Sequence, residues 1–189
     1  MKIAVIGGIG SGKSEVMKAV QGMNVATCVS ADEINAELLT QKAYVEKVKE
    51  LFPSVVKGGV VDKKALADIV FHDDEARKTL NDLAHPLIVK NIKQDMRNPL
   101  VVEVPLIFEN DLHRYFRDVV YVQASLEDRI ERLVEKRGMT KEDALARIKA
   151  QADDDAYKSV ADFVIQNDGT IEELHAKAHD LFDFLLNIL

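Results

Sequence analysis

Glycines, a lysine and a serine stand together near the start of the chain, in Gly7-Gly8-Ile9-Gly10-Ser11-Gly12-Lys13-Ser14. The run matches G-x-x-x-x-G-K-[ST], and each part of that pattern has a use in holding phosphate. Glycines let the backbone turn tightly and bring its N–H groups against phosphate oxygens with no Cβ in the way. A helix beginning near Lys13 directs its free amides and positive dipole end at the same anion. Lys13 then reaches the β- and γ-phosphates as a point charge, and the Ser14 hydroxyl is placed to ligate Mg²⁺. The bland reading, a glycine-rich turn that happens to contain Lys-Ser, does not explain why the run follows an apolar stretch and opens a helical one. Residues 8–14 are therefore expected to bind ATP with Mg²⁺, Lys13 acting on the transferred group.

Other polar groups fall where such a site needs them. Ser30-Ala31-Asp32-Glu33 follows the second apolar run. Asp32 there can accept the proton of an acceptor hydroxyl, or orient that hydroxyl towards the γ-phosphate. Ser30 with Glu33 also spells a capping box that opens the next helix, and both roles can hold together. Glu103, near the end of the third run, can hold Mg²⁺ through water or be an ordinary strand residue. A basic series, Arg129, Arg132, Lys136, Arg137, Lys141, Arg147 and Lys149, surrounds Gly138 at a helix break. It suits a lid that closes over ATP, and equally a solvated helix face laced with Glu-Arg pairs. Asp153-Asp154-Asp155 reads as a solvated acidic face.

These residues must be positioned by the elements around them. Residues 3–6, 25–29, 100–104, 119–122 and 163–165 are apolar runs rich in β-branched side chains, as in strands buried on both faces of a parallel sheet. Helical spacing occupies 13–22, 33–51, 63–71, 74–96, 126–137, 140–150 and 171–188. The alternation predicts an α/β fold. The interval between the second and third strands is far longer than one crossover needs, so it should hold a helical region of its own.

The 189 residues suit one domain, with 47% hydrophobic and 30% charged residues. A net charge of −7 argues against general nucleic-acid binding, which needs a cationic surplus. Cys28 is the single cysteine, so no intramolecular disulfide is possible. No apolar segment approaches the roughly 20 residues of a membrane span, nor is a signal peptide apparent. A cytoplasmic setting is expected.

Taken in order, the motifs resemble the dephospho-CoA kinase family over nearly the whole chain. Those that carry the resemblance are the glycine-rich run, Ala31-Asp32, Val61-Asp62-Lys63-Lys64-Ala65-Leu66, Ile69-Val70-Phe71, His85-Pro86-Leu87-Ile88 and Val104-Pro105-Leu106-Ile107-Phe108-Glu109. They continue through Arg132-Leu133, Lys136-Arg137-Gly138, Arg147-Ile148-Lys149-Ala150-Gln151 and the stretch Ala161 to Gly169. The resemblance implies a P-loop kinase fold with a five-stranded parallel sheet flanked by helices. Its core would be 1–32, 97–136 and 160–189, with a helical acceptor-binding insertion at 33–96 and a lid at 137–159. It implies ATP-dependent phosphorylation of the ribose 3′-hydroxyl of dephospho-CoA, the last step of coenzyme A synthesis, by a monomer or weak homo-oligomer.

By the same resemblance Asp32 is the catalytic base, and Arg137 and Arg147 are lid cations on ATP phosphates. Asn167 and Gly169 lie beside the adenine. Lys63, His85, Pro105, Leu106 and Glu109 join Asp32 in meeting the acceptor. By itself, His85 before Pro86 reads as a helix start. The family often carries Asp-x-Asp after the second strand, where this chain has Ser30-Ala31-Asp32, and Lys63 stands where Arg is usual. Two rivals remain open on the residues alone: a nucleoside or deoxynucleoside monophosphate kinase, and a nucleotide-binding regulator with slow ATPase activity.

Overall fold

The first strand sets the rest of the sheet. In the computed structural model of the protein, which describes residues 1–187 except for the side chains of Glu109 and Asn110, β1 (Lys2–Ile6) has Ile3, Ala4, Val5 and Ile6 wholly buried. A strand buried on both faces needs neighbours on both edges and helices over both surfaces. β5 (Leu100–Glu103) pairs with it on one side and β6 (Asp118–Gln123) on the other, both parallel. β2 (Thr27–Ser30) and β7 (Phe163–Gln166) complete a five-stranded parallel sheet in the order β2-β5-β1-β6-β7. Strand order therefore reverses at β1, where open parallel sheets bind ligands at the strands' carboxyl ends.

The chain divides into two compact units, residues 1–29 with 96–189, and residues 30–95. In the first, α1 (Lys13–Met23) and α9 (Ile171–Asn187) cover one face of the sheet. Val16, Val20, Leu174, Ala178 and Phe182 meet Ile3, Val5, Val101, Val120 and Val122 there. Phe182 is completely buried, and that burial contributes about 2–3 kcal/mol. Side chains alternate along a strand, so Tyr121 projects to the opposite face. It stacks there on Tyr157 of α8 (Asp154–Val160), ring centroids 5.2 Å apart. α6 (Leu126–Arg137) ends at Gly138, whose φ of 62° makes the expected break, and α7 (Lys141–Lys149) follows.

The second unit is mostly helical. α2 (Ala31–Leu38), α3 (Lys42–Leu51) and α4 (Lys63–His72) all contact the long α5 (Asp74–Gln94). Its core includes Ile34, Leu38, Val45, Val48, Leu66, Ile88 and Ile92. A small hairpin, β3 (Val56–Lys57) with β4 (Val60–Val61), turns through Gly58 and Gly59, both at positive φ.

Several expectations need correction. The single helix expected over 33–51 is two, because Leu39 closes α2 and Gln41 opens α3. The hairpin and α8 lie outside the expected elements. His85-Pro86 does not start a helix: Pro86 lies inside α5, whose N-cap is Asp73. The chain accepts the lost backbone bond of an interior proline at that point.

Candidate active site

The glycine-rich run occupies the turn from β1 into α1. Gly7, Gly10 and Gly12 all have positive φ, at 147°, 78° and 102°, a conformation costly for any residue with a Cβ. Space is equally tight. A Cβ at Gly10 would lie 2.9 Å from the Arg129 carbonyl oxygen, and one on Gly8 would collide with the Arg129 guanidinium.

The loop's carbonyls from Gly8 to Ser11 are all occupied. The Gly8 carbonyl accepts from Lys13 Nζ at 3.0 Å, and that of Ile9 from Arg129 Nε at 2.9 Å. Gly10 oxygen accepts from Arg132 at 3.3 Å, and Ser11 oxygen from Asn167 Nδ2 at 2.8 Å. Arg132 also donates to the carbonyl and side-chain oxygens of Asn167, at 3.2 and 3.3 Å. With its oxygens engaged, the loop is free to turn N–H groups towards an anion, as a phosphate cradle requires. The Ser11 hydroxyl is buried and has no hydrogen-bond partner among the described residues.

Arg129 and Arg132 thus do something the sequence did not suggest. Arg129 is only 7% exposed and braces the loop, so it is neither a solvated face residue nor a lid cation. The available signal was its spacing from Leu133, which places both on one face of α6. Asn167 is likewise buried, and its amide is committed to Ser11 and Arg132.

Ser14 follows Lys13 in the first turn of α1, and its hydroxyl points at Glu103 Oε2 across 3.5 Å. The gap is long for a hydrogen bond, but two hard oxygen donors so placed fit a small divalent cation. No group of three His, Cys, Asp or Glu side chains among the described residues is arranged as a protein-only metal site. Glu15, next in α1, is held below the usual carboxylate range chiefly by its hydrogen bond from Lys18, against some desolvation.

The expected lid segment has polar anchors. Asp154 accepts from the Tyr121 hydroxyl at 2.8 Å and from Gln123 Nε2 at 2.6 Å, so it is not a solvated face residue. Burial, then the bond to Asp154, pushes the Tyr121 hydroxyl well above its ordinary value. Asp153 caps α8 through Ala156 N–H. Between these groups, α7 and the ends of β6 and β7 lies an open cavity of about 630 Å³ lined by Arg129, Lys149, Gln151, Asp153, Asp154 and Asp168 among others.

The remaining expected residues are placed as follows. Arg137 is exposed in the last turn of α6, and Arg147 is half-buried in the last turn of α7. Gly169 precedes the start of α9, Pro105 is exposed beyond β5, and Leu106 is half-buried. The Glu109 side chain lies outside the described residues. In the second unit, Ser30 and Glu33 form the expected capping box, with bonds of 3.1 and 2.7 Å. Asp32 is exposed in that first turn, Lys63 is exposed at the start of α4, and His85 is half-buried in α5.

Comparison with known proteins agrees with this architecture. The family model for dephospho-CoA kinase (CoaE) matches residues 1–173. A dephospho-CoA kinase of Corynebacterium glutamicum is 34% identical, the alignment covering 99% of this chain and 98% of that protein. The crystal structure of TT1252 from Thermus thermophilus superposes with a TM-score of 0.73 at 32% identity, covering 98% of this chain and 97% of that one. A shikimate kinase from Acinetobacter baumannii shares the fold, with a TM-score of 0.60 at 13% identity, over 98% of this chain and 92% of its own. A match that runs from the phosphate loop through the last strand and into α9, with a relative aligned over nearly all of both chains at this identity, means that the chain belongs to the dephospho-CoA kinase family.

Proposed function

We propose that the chain transfers the γ-phosphoryl group of ATP to dephospho-CoA, at the ribose 3′-hydroxyl, giving coenzyme A and ADP. The observation that carries this reading is the family match over residues 1–173, which includes both the phosphate loop and the segments beyond it. The loop geometry supports the ATP half by its own chemistry. Residues 8–14 bind the phosphates through Lys13 and those N–H groups of the run that no protein acceptor holds, and the Ser14 and Glu103 oxygens would hold the metal, Glu103 through water. Mg²⁺ there would offset charge on the β- and γ-oxygens.

Asp32 lies two residues beyond Ser30, the last residue of β2, in the first turn of α2. In this reading it accepts the proton of the attacking hydroxyl, which then displaces ADP in line. Arg137 and Arg147 supply positive charge to the moving group from a lid over 137–159. The backbone around Asn167 and Gly169 lies beside the adenine. Residues 33–96, with Lys63 and His85, meet the acceptor together with Pro105, Leu106 and Glu109. The enzyme works in the cytoplasm, as suits a chain with one cysteine and, among the described residues, no helix long and apolar enough to cross a membrane.

The test is an acceptor panel assayed with ATP and Mg²⁺. Dephospho-CoA should be phosphorylated in preference to nucleoside and deoxynucleoside monophosphates, and the product should carry its new phosphate on the 3′ oxygen. Strong transfer to a monophosphate with none to dephospho-CoA would overturn the reading. So would slow ATP hydrolysis indifferent to every acceptor.

A further inference from the structure

The phosphate loop is tied to the far end of α7, and the polar part of the tie is a single side chain. Gln151 Oε1 accepts the Ile9 N–H at 2.7 Å and an Arg129 guanidinium N–H at 3.4 Å. Arg129 Nε in turn donates to the Ile9 carbonyl at 2.9 Å. Both polar groups of Ile9 are therefore held, one by Gln151 and one by Arg129, and these two holders are bonded to each other. The Ile9 side chain completes the arrangement by packing against Leu133, Ala144 and Ile148, the last two from α7. The tip of the loop thus has an apolar and a polar attachment to the same helical segment.

We propose that Gln151 is a positioning residue for phosphoryl transfer: its carboxamide oxygen fixes Ile9, and through it the ATP-binding loop, to the end of α7. Three observations carry this. The bond to Ile9 is short and reaches across most of the chain. Its acceptor is shared with a buried arginine whose own carbonyl and guanidinium exclude any side chain at Gly8 and Gly10. Ile9 is also the one residue of the glycine-rich run that packs into the cluster formed by α6 and α7. A loop held in its binding conformation before ATP arrives spends less affinity on ordering itself. Removing the acceptor should therefore weaken ATP binding and leave the acceptor substrate's binding alone.

The inference rests on the loop binding ATP, and the experiment separates the two readings because a non-hydrolysable ATP analogue binds without any acceptor. Gln151→Leu keeps bulk and removes the acceptor oxygen; Gln151→Glu keeps an acceptor for both donors. Gln151 is exposed, so water replaces part of what the leucine variant loses, and neither variant should disturb folding. Calorimetry with the analogue and Mg²⁺ should show affinity about three- to tenfold weaker for Gln151→Leu, restored towards wild type in Gln151→Glu. In steady state the KM for ATP should rise by the same factor, with the KM for dephospho-CoA and the melting temperature unchanged. Wild-type analogue affinity in Gln151→Leu would overturn the proposal. Equal weakening in both variants, or weakening matched by a fall in melting temperature, would overturn it as well. A wild-type chain that binds the analogue yet ignores dephospho-CoA would sink the acceptor assignment and leave the role of Gln151 standing.

Discussion

At the scale of single residues, the site separates groups that touch phosphate from groups that shape what touches it. Lys13 is of the first kind in the function proposed above, and its ammonium also donates to the Gly8 carbonyl. Arg129, Arg132 and Asn167 belong to the second. Asp32 carries the sharpest prediction. Asp32→Asn keeps size and polarity but removes the base, so turnover should fall by about 10²–10⁴-fold. Affinity for an ATP analogue should hardly change. Turnover at the wild-type level in a single-turnover assay would remove Asp32 from the mechanism. The phosphate loop and the cap at Ser30 were legible because their partners lie a few residues away in the chain. Arg129 was not, since its partner Ile9 is 120 positions distant, and its one local signal, the spacing from Leu133, points to a buried face without naming that partner.

Elements follow the same division between local and distant causes. The strands of the parallel sheet and α1, α6 and α9 were readable from apolar spacing, which reports a continuous buried face. α8 was not. It is short, begins in Asp153-Asp154-Asp155, and depends on contacts from β6: Asp154 takes bonds from Tyr121 and Gln123, while Tyr157 stacks on Tyr121. Asp154→Ala should therefore leave two donors without their acceptor and cost about 1–3 kcal/mol. The check is urea unfolding, with an unchanged slope and a lower midpoint. An unaltered midpoint would mean that α8 does not depend on this bond. The helix expected over 74–96 is present as α5, and within it the isolated helix-start signal of His85-Pro86 is overruled by the cap at Asp73 and a buried face running on through Ala84, Ile88, Val89 and Ile92.

At the scale of the molecule, ligand binding and stability should be linked through the first unit. If, as proposed, ATP with Mg²⁺ binds the folded loop and not the unfolded chain, saturation at about a hundredfold Kd should add about 2.7 kcal/mol. A thermal scan should show the rise in wild type and its loss in Lys13→Ala, while melting without nucleotide stays nearly equal. A rise of the same size in both would show that Lys13 contributes little. The five-stranded parallel layout was legible from the alternation of runs, whereas strand order was not, because register depends on partners far apart in sequence. That order carries a further consequence, for the way the chain is made. Ile3 pairs with Val101 and Asp118, so β1 waits for both its neighbours until β5 and β6 have been made. Residues 30–95 need only one another for their internal contacts and are complete earlier. During synthesis the helical unit can therefore assemble while β1, carrying the phosphate loop, is still unpaired. Nucleotide would then find no site on the nascent chain until β5 and β6 have closed around it.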